Sequence, residues 1–415
     1  MLNIVILNGG RGASALIPKL LEHRNFRVTS VVNAYDDGKS TGEIRKFFSM
    51  LGPSDIRKVQ ELMLSQDEPD YESCLRLFQY RFPNNASRVD ALAHLERFAA
   101  GQDLCLVGLE FNNSIVYKAL KRFVAEFLKG LQVAEQFLSQ ELEFADCSMM
   151  NCLYAGAFLV FNRDLERTTL FMDRLFRLRG SVLATNSENK KLVGLRANGE
   201  FLCCEAEIVE LRSNVKLEQV YLLEPYLDYA PLKGFSRSDL KYYLETHNSH
   251  VEISGSVKLA LAQADIIIYS PGTQHSSLYP TYMSFGLADV IAENRSAYKV
   301  LIPNIGADYE TPNYAVSDYI LGSYQYLSLG TQRICQMSDF FSVILVSHSS
   351  QKEDSSYVPY DEEECQRFGV PLMVDDFESS SASGKHNGEK TVKAILASYE
   401  SAIMLSEVER CCLKR

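Results

Sequence analysis

The apolar run NIVIL at 3–7 feeds directly into Asn8-Gly9-Gly10-Arg11-Gly12, and a helical pattern carrying Leu16, Leu20 and Leu21 follows over 13–23. A buried strand that turns through glycines into a helix is the opening unit of many α/β proteins. It lets backbone N–H groups and a helix N-terminus approach an anion together. The alternation continues: RVTSVVNA (27–34) reads as a second strand and ends at YDDGKSTG. ADIIIYSPGT (264–273), YKVLIPNIG (298–306), FFSVILVSH (340–348) and GVPLMV (369–374) read as later strands. The expected fold is α/β and Rossmann-like, a mostly parallel sheet flanked by helices.

The rest of the chain is expected to elaborate that one unit, residues 1–415. From about 60 to 146 the pattern is helical, clearest over Ile115–Leu142, and predicts a helical insert or lid within the α/β domain. Residues 148–178 read as another helical pair. LVGLRANGEFLCCEAEIVEL reads as a short β pattern with a hairpin turn at Asn198-Gly199. The serine-rich stretches SSQKEDSS and ESSSASG read as exposed loops rather than linkers.

A formal charge of −11 over 415 residues argues against a general nucleic-acid binder, which needs basic surface. No apolar run approaches the length of a membrane span. LNIVILNGG is short for a signal peptide and runs into glycines, so a cytoplasmic protein is expected. The ten cysteines form no CxxC, with Cys203-Cys204 and Cys411-Cys412 adjacent, and only His247 and His250 of the seven histidines lie close together. That spacing is poor for structural zinc.

Three polar, glycine-bearing loops each follow a buried strand. The first, Asn8 to Ser14, suits backbone approach to phosphate or a plain strand-to-helix turn. In the second, Asp36-Asp37-Gly38-Lys39-Ser40-Thr41-Gly42, two carboxylates stand where open α/β sheets bind ligands and could hold Mg²⁺ or accept a proton. Adjacent residues on a strand point opposite ways, so at most one should face the site unless the turn rotates the other. Taken alone, this loop also suits an acidic N-cap and turn. The third, Ser270 to Ser277, offers hydroxyls and amides to a phosphate or ribose, or forms an ordinary turn with a serine cap. Together the three point to one crevice at the carboxyl edge of a sheet.

These residues resemble the superfamily of 2-phospho-L-lactate transferase (CofD) and gluconeogenesis factor (YvcK). NGGRGAS (8–14) is similar to its GGGTGxS, and DDGKSTG (36–42) to its DDGGSSG- or DDGGSTG-like loop. Pro53, Asp55, Ile56 and Arg57 match P-x-D-[IL]-R; Ser148 and Asn151 match Ser-x-x-Asn. RLRGSVLATN (177–186), ADIIIYSPGTQHSSLYP, the segment with Asn304, Glu310, Thr311 and Asp318, and GKHNGEK with His386 and Lys390 follow in family order. Asn8 and Lys39 replace glycines of the pattern, Arg11 a threonine and Cys147 a histidine.

The resemblance implies a nucleotide-type ligand in the crevice. Its transferase branch moves a phospholactyl-type group from a nucleoside diphosphate conjugate to a deazaflavin hydroxyl, with Mg²⁺, releasing a nucleoside monophosphate. Its other branch binds nucleotide sugars and regulates carbon flow or cell-wall synthesis. The transferase is the favoured expectation. Asp37 would be metal ligand or general base and Asp36 its metal-binding neighbour, while Arg11, Lys39 and Arg57 would stabilise phosphate oxygens. Asn8 would tolerate a left-handed turn, and Lys39 would meet phosphate or pair with Asp36. Gly9, Gly10, Gly12, Ser14, Ser40, Thr41, Asn151, Ser270, Gly272, Thr273, Ser276 and Asn304 would bind the GDP-type or UDP-sugar ligand. A homodimer is also expected from the family.

Overall fold

The computed structural model describes residues 1–103, 105–348 and 356–413, with side chains described to residue 405. Most of the SSQKEDSS stretch lies outside the described residues. Twelve strands are present among those described: β1 (Leu2–Leu7), β2 (Phe26–Val32), β3 (Ser181–Ala184), β4 (Lys191–Arg196), β5 (Phe201–Leu202), β6 (Leu217–Leu223), β7 (Ile266–Tyr269), β8 (Tyr298–Leu301), β9 (Val343–Ser347), β10 (Leu372–Asp375), β11 (Glu378–Ser379) and β12 (Ala382–His386).

Seven of them form one parallel sheet in the order β10-β9-β8-β7-β1-β2-β3. The central strands are apolar on both faces because helices cover both, so Ile4–Leu7 and Ile266–Tyr269 are buried without alternation. The chain steps one way from β1 to β3 and the other way from β7 to β10. The strand order therefore reverses between β1 and β7, the switch point at which such sheets open a crevice. Register fixes the height of that crevice: Leu7 lies level with Val31 and Tyr269, and Tyr269 with Leu301. The loops after β1, β2, β7 and β8 consequently leave the sheet at one edge.

The tract between β2 and β3 is helical. Its longest helix, Ser114–Leu138, begins where Asn113 Oδ1 accepts the N–H groups of Ile115 and Val116 (2.9 and 3.4 Å), and it buries Leu120, Phe123, Val124 and Phe127 against the main core. Among the described residues of 60–146, Glu61, Phe78, Gln79 and Arg81 reach the crevice. A separate antiparallel sheet, β5-β4-β6, turns at Gly199 (φ 88°) as the Asn-Gly signal predicts, and carries a small second core of Val193, Leu195, Phe201, Tyr221 and Leu223. The sequence EAEIVEL after it, read as β, forms the short helix Glu205–Glu210 instead. No described helix is long and apolar enough to cross a membrane.

Candidate functional site

A crevice of about 1330 Å³ opens at the switch point. It is lined by Gly9, Gly10, Arg11, Gly12 and Ser14 from the β1 loop, Asp36, Lys39, Ser40 and Thr41 from the β2 loop, and Gly272, Thr273 and Ser276 from the β7 loop. Arg57 and Asn304 complete the expected set on its walls. Asp37, Asn151 and Ser270 do not line it.

The glycines of the first loop are required by proximity rather than by dihedral angle. A Cβ on Gly12 would lie 2.1 Å from the Pro271 carbonyl oxygen, one on Gly10 2.4 Å from Asp55 Oδ1, and one on Gly9 2.6 Å from Ser277 Cβ. Backbone thus touches the neighbouring loop wall directly, which leaves the loop's outer side to a ligand. Asn8 is not left-handed, contrary to expectation. Its side chain turns inward, where Oδ1 accepts the Ser30 hydroxyl and Nδ2 donates to Gly9 O (2.7 Å). The third loop does need a glycine: Gly272 has φ 151°, and Asn304 grips it by accepting its N–H (2.7 Å) and donating to its carbonyl (3.0 Å). Ser276 is tied by its N–H and hydroxyl to Glu310, while Ser270 is buried and donates to Pro271 O (3.0 Å).

The two aspartates diverge. Arg45 donates to the carbonyls of Tyr35 (2.6 Å) and Asp36 (3.3 Å), fixing the turn. Asp36 then faces the crevice, its Oδ1 accepting Gly38 N–H (3.0 Å) and its Oδ2 3.8 Å from Lys58 Nζ. Asp37 points the other way and accepts Ala206 N–H at 3.0 Å, capping the helix Glu205–Glu210; burial pushes its carboxyl up. The structure thus places Asp36 rather than Asp37 at the crevice. The shared Mg²⁺ ion does not fit this pair, whose carboxylates serve separate partners. The ammonium of Lys58, 2.9 Å from Asp55 Oδ1, already stands between Asp55 and Asp36. Among the described residues the one cluster of three metal-ligating groups is Cys203, Cys204 and Glu207, and Glu207 is bonded there to Lys233 (2.6 Å).

Lys39 does not pair with Asp36 either. Left-handed at φ 46°, it reaches Asp146 at 3.5 Å, an exposed contact. Asn151, fully buried, accepts Arg57 Nε–H (2.9 Å) and donates to the hydroxyls of Ser40 and Thr41 (3.3 Å each), so it holds crevice-lining side chains in place without itself lining the crevice.

Lys58, Arg81 and Glu205 are among the lining residues that escaped the sequence reading. Lys58 follows Arg57 in the same helix, three residues from Asp55, a spacing that signals an ion pair. Arg81 and Glu205 arrive from distant segments, and no local pattern marks either. Burial and the nearby Asp36 and Asp37 charges push the Glu205 carboxyl well up.

His386 closes the far wall. It is 7% exposed, and Nε2 lies 3.0 Å from Pro303 O, so Nε2 carries the proton and Nδ1 is a buried acceptor without a partner. Burial lowers its pKa to about 4. A depressed pKa means that His386 favours the folded state above pH 6.5 and loses that contribution as pH falls from 6.5 towards 4, about 1.4 kcal/mol per unit. His275, lowered to about 3 by burial and by Arg196, acts in the same sense. Burial raises Glu310 to about 7, which acts oppositely, its stabilisation being lost as pH rises from 4.5 through 7. His386→Asn keeps a donor for Pro303 but cannot titrate. The stability difference between wild type and this variant should shrink by about 2 kcal/mol between pH 7 and pH 5, by urea denaturation. A pH-independent difference would mean that His386 is protonated equally in both states.

Fold and site together define a doubly wound α/β protein with three polar, glycine-bearing loops around a crevice at its switch point. The chain belongs to the 2-phospho-L-lactate transferase CofD family, whose model matches residues 4–378. A putative gluconeogenesis factor of Thermotoga maritima is 23% identical over 95% of this chain and 98% of its own length. The gluconeogenesis factor of Halalkalibacterium halodurans is 24% identical, covering 95% of each. A crystal structure of a Bacillus halodurans protein superimposes with a TM-score of 0.64 at 22% identity, over 95% of this chain and 99% of that one, a likeness of fold.

Proposed function

We propose that this chain binds a nucleoside diphosphate conjugate, of the UDP-sugar or GDP type, and acts as a regulator of gluconeogenesis-factor kind without turning its ligand over. The observation that carries this reading is the divergence of Asp36 and Asp37, with Lys58 as a built-in counter-ion to the carboxylate that does face the crevice. The glycine loop, the Asn304-gripped Gly272 and the cations Arg57 and Lys58 suit a diphosphate, whose charge such a site can meet without a metal. The name the relatives carry, gluconeogenesis factor, agrees with a regulatory role in carbon flow.

A second reading, phospholactyl-type transfer to a deazaflavin-like hydroxyl, is favoured by Asp36 itself, which lies in the crevice beside Ser40 and Thr41. The two readings separate in one experiment. UDP, UDP-N-acetylglucosamine, GDP and a guanosine diphosphate conjugate that carries a lactyl group, the donor the second reading requires, are titrated calorimetrically into the full chain, with Mg²⁺ or with EDTA, and the mixtures are then analysed for free nucleoside monophosphate after addition of a deazaflavin. The expected result is binding that changes less than about threefold on removing metal, a difference under 1 kcal/mol, with no monophosphate formed. Mg²⁺-dependent release of monophosphate that also requires the deazaflavin would replace the regulator with the transferase.

A further inference from the structure

An adjacent cysteine pair sits where the small sheet β5-β4-β6 meets the crevice wall. Cys203 follows β5, Cys204 is the residue before the helix Glu205–Glu210, and Glu207 lies in the first turn of that helix. Residues three and four apart at a helix start lie over one another, so Glu207 comes back over both cysteines. Its Oε2 accepts the Cys203 N–H (2.8 Å), which fixes the direction of the carboxylate. The two sulfurs and a carboxylate oxygen all lie within 4.8 Å of one another. In a tetrahedral site with metal–sulfur bonds of about 2.3 Å the ligand atoms stand about 3.8 Å apart. Small side-chain rotations would therefore complete three corners. The CxxC spacing absent from the sequence is not needed when the start of a helix brings the third group.

The surroundings suit a cation bound by anionic groups. Both cysteines are free and partly exposed, so an ion can reach them. Burial and the neighbouring Glu207 push the Cys203 thiol up, and burial pushes Cys204 up to about 11, so both are protonated at neutral pH. Two ammonium groups balance the cluster from outside. Lys233 donates to Glu207 Oε1 (2.6 Å) and attracts both sulfurs when they are ionised, and Lys191 attracts that of Cys203. The Lys233 side chain is 45% exposed, so water can take over its contact with Glu207.

We propose that Cys203, Cys204 and Glu207 form a binding site for one thiophilic divalent cation of the zinc kind, separate from the crevice, with the fourth position left to water. Two thiolates and one carboxylate favour such an ion over Mg²⁺ or Ca²⁺, which take oxygen ligands. On binding, both thiol protons leave to solvent, two metal–sulfur bonds and one metal–oxygen bond form, and Lys233 releases Glu207 Oε1. Three anionic ligands around a divalent ion leave one negative charge, which Lys233 and Lys191 offset. The site stands whatever the crevice binds. Glu205, between the ligands, lines the crevice and accepts the Asp37 N–H (3.2 Å), so the ion would fasten the turn that Asp37 caps.

The test uses the full chain carrying Cys411→Ser and Cys412→Ser, which removes the other adjacent pair of the sequence. The protein is reduced, freed of reductant and titrated with Co²⁺, then with Zn²⁺. Co²⁺ should produce a sulfur-to-metal charge-transfer band that saturates at one ion per chain, and Zn²⁺ should displace it with a Kd of about 1 µM or tighter. Cys204→Ser should weaken Zn²⁺ binding about hundredfold and Glu207→Gln about tenfold. Affinity should fall as pH is lowered, because protons compete for the sulfurs. Cys105→Ser, a partly exposed cysteine elsewhere, should change nothing. Cys203→Ser should lose the same band, which keeps the result readable if one of the variants does not fold. Absence of the charge-transfer band, a Kd weaker than about 100 µM, or unchanged affinity in both Cys203→Ser and Cys204→Ser would each overturn the site.

Discussion

Replacing Gly12 by alanine is expected to destabilise the protein by about 3 kcal/mol and to abolish ligand binding in the crevice. The new methyl carbon would lie 2.1 Å from the Pro271 carbonyl oxygen and 2.9 Å from Gly272 Cα. Both are backbone atoms, and neither can swing aside. Relief would require the β1 and β7 loops to part, and these loops form the floor of the crevice at the switch point. For a chain of this length the destabilisation corresponds to a fall of about 3 °C in melting temperature. Gly255→Ala is the control, since a Cβ there meets nothing within 4 Å and the position opens a helix capped by Ser254. It should hold or slightly raise the melting temperature. A Gly12→Ala protein as stable as wild type would show that the loops are not in contact.

Asn151→Ala should act on stability and binding together. The side chain sits fully buried between Arg57 and the Ser40–Thr41 turn, and three contacts depend on it. Truncation leaves the Arg57 Nε–H without its acceptor and two hydroxyls without their donor, which should cost about 2–3 kcal/mol. Arg57 would then be free to leave its fixed orientation, and affinity for nucleoside diphosphates should fall about tenfold or more, the value of one charged hydrogen bond. Denaturation and calorimetry on the same protein check both parts. Loss of stability with unchanged affinity would mean that Arg57 keeps its place without Asn151, or does not contact the ligand.

Most of the architecture was open to reading in the sequence. The central strands are uninterrupted apolar runs over Ile4–Leu7 of β1 and across β7, and β1, β2 and β7 each lead into a polar, glycine-bearing loop, so these strands and loops announce themselves locally. β6 gave no such signal, because LEQVYLL mixes polar residues on the outer face of a small sheet. EAEIVEL misled for a related reason: its apolar and acidic residues alternate like a strand, but Asp37, remote in sequence, caps it as a helix. The family pattern named Arg57, Asn151 and Asn304, and the structure separates them by role. Arg57 and Asn304 line the crevice, whereas Asn151 supports it from behind.

What the sequence by itself determined is the order of the strands along the chain, the loops that end them and the polar groups those loops carry, because all are set by residues near one another. Tertiary structure alone decided which side of each loop faces the crevice. A single turn, braced by Arg45, sends Asp36 inward and Asp37 to a helix 168 residues away, counted to Glu205, whose carboxylate accepts the Asp37 N–H. It also decided that Lys58 rather than Lys39 approaches Asp36, and that Arg81 is held by Asp146 at the edge of the same crevice. Charge pairing of this kind depends on distances of a few ångströms between segments far apart in the chain, and no local pattern of residues contains those distances.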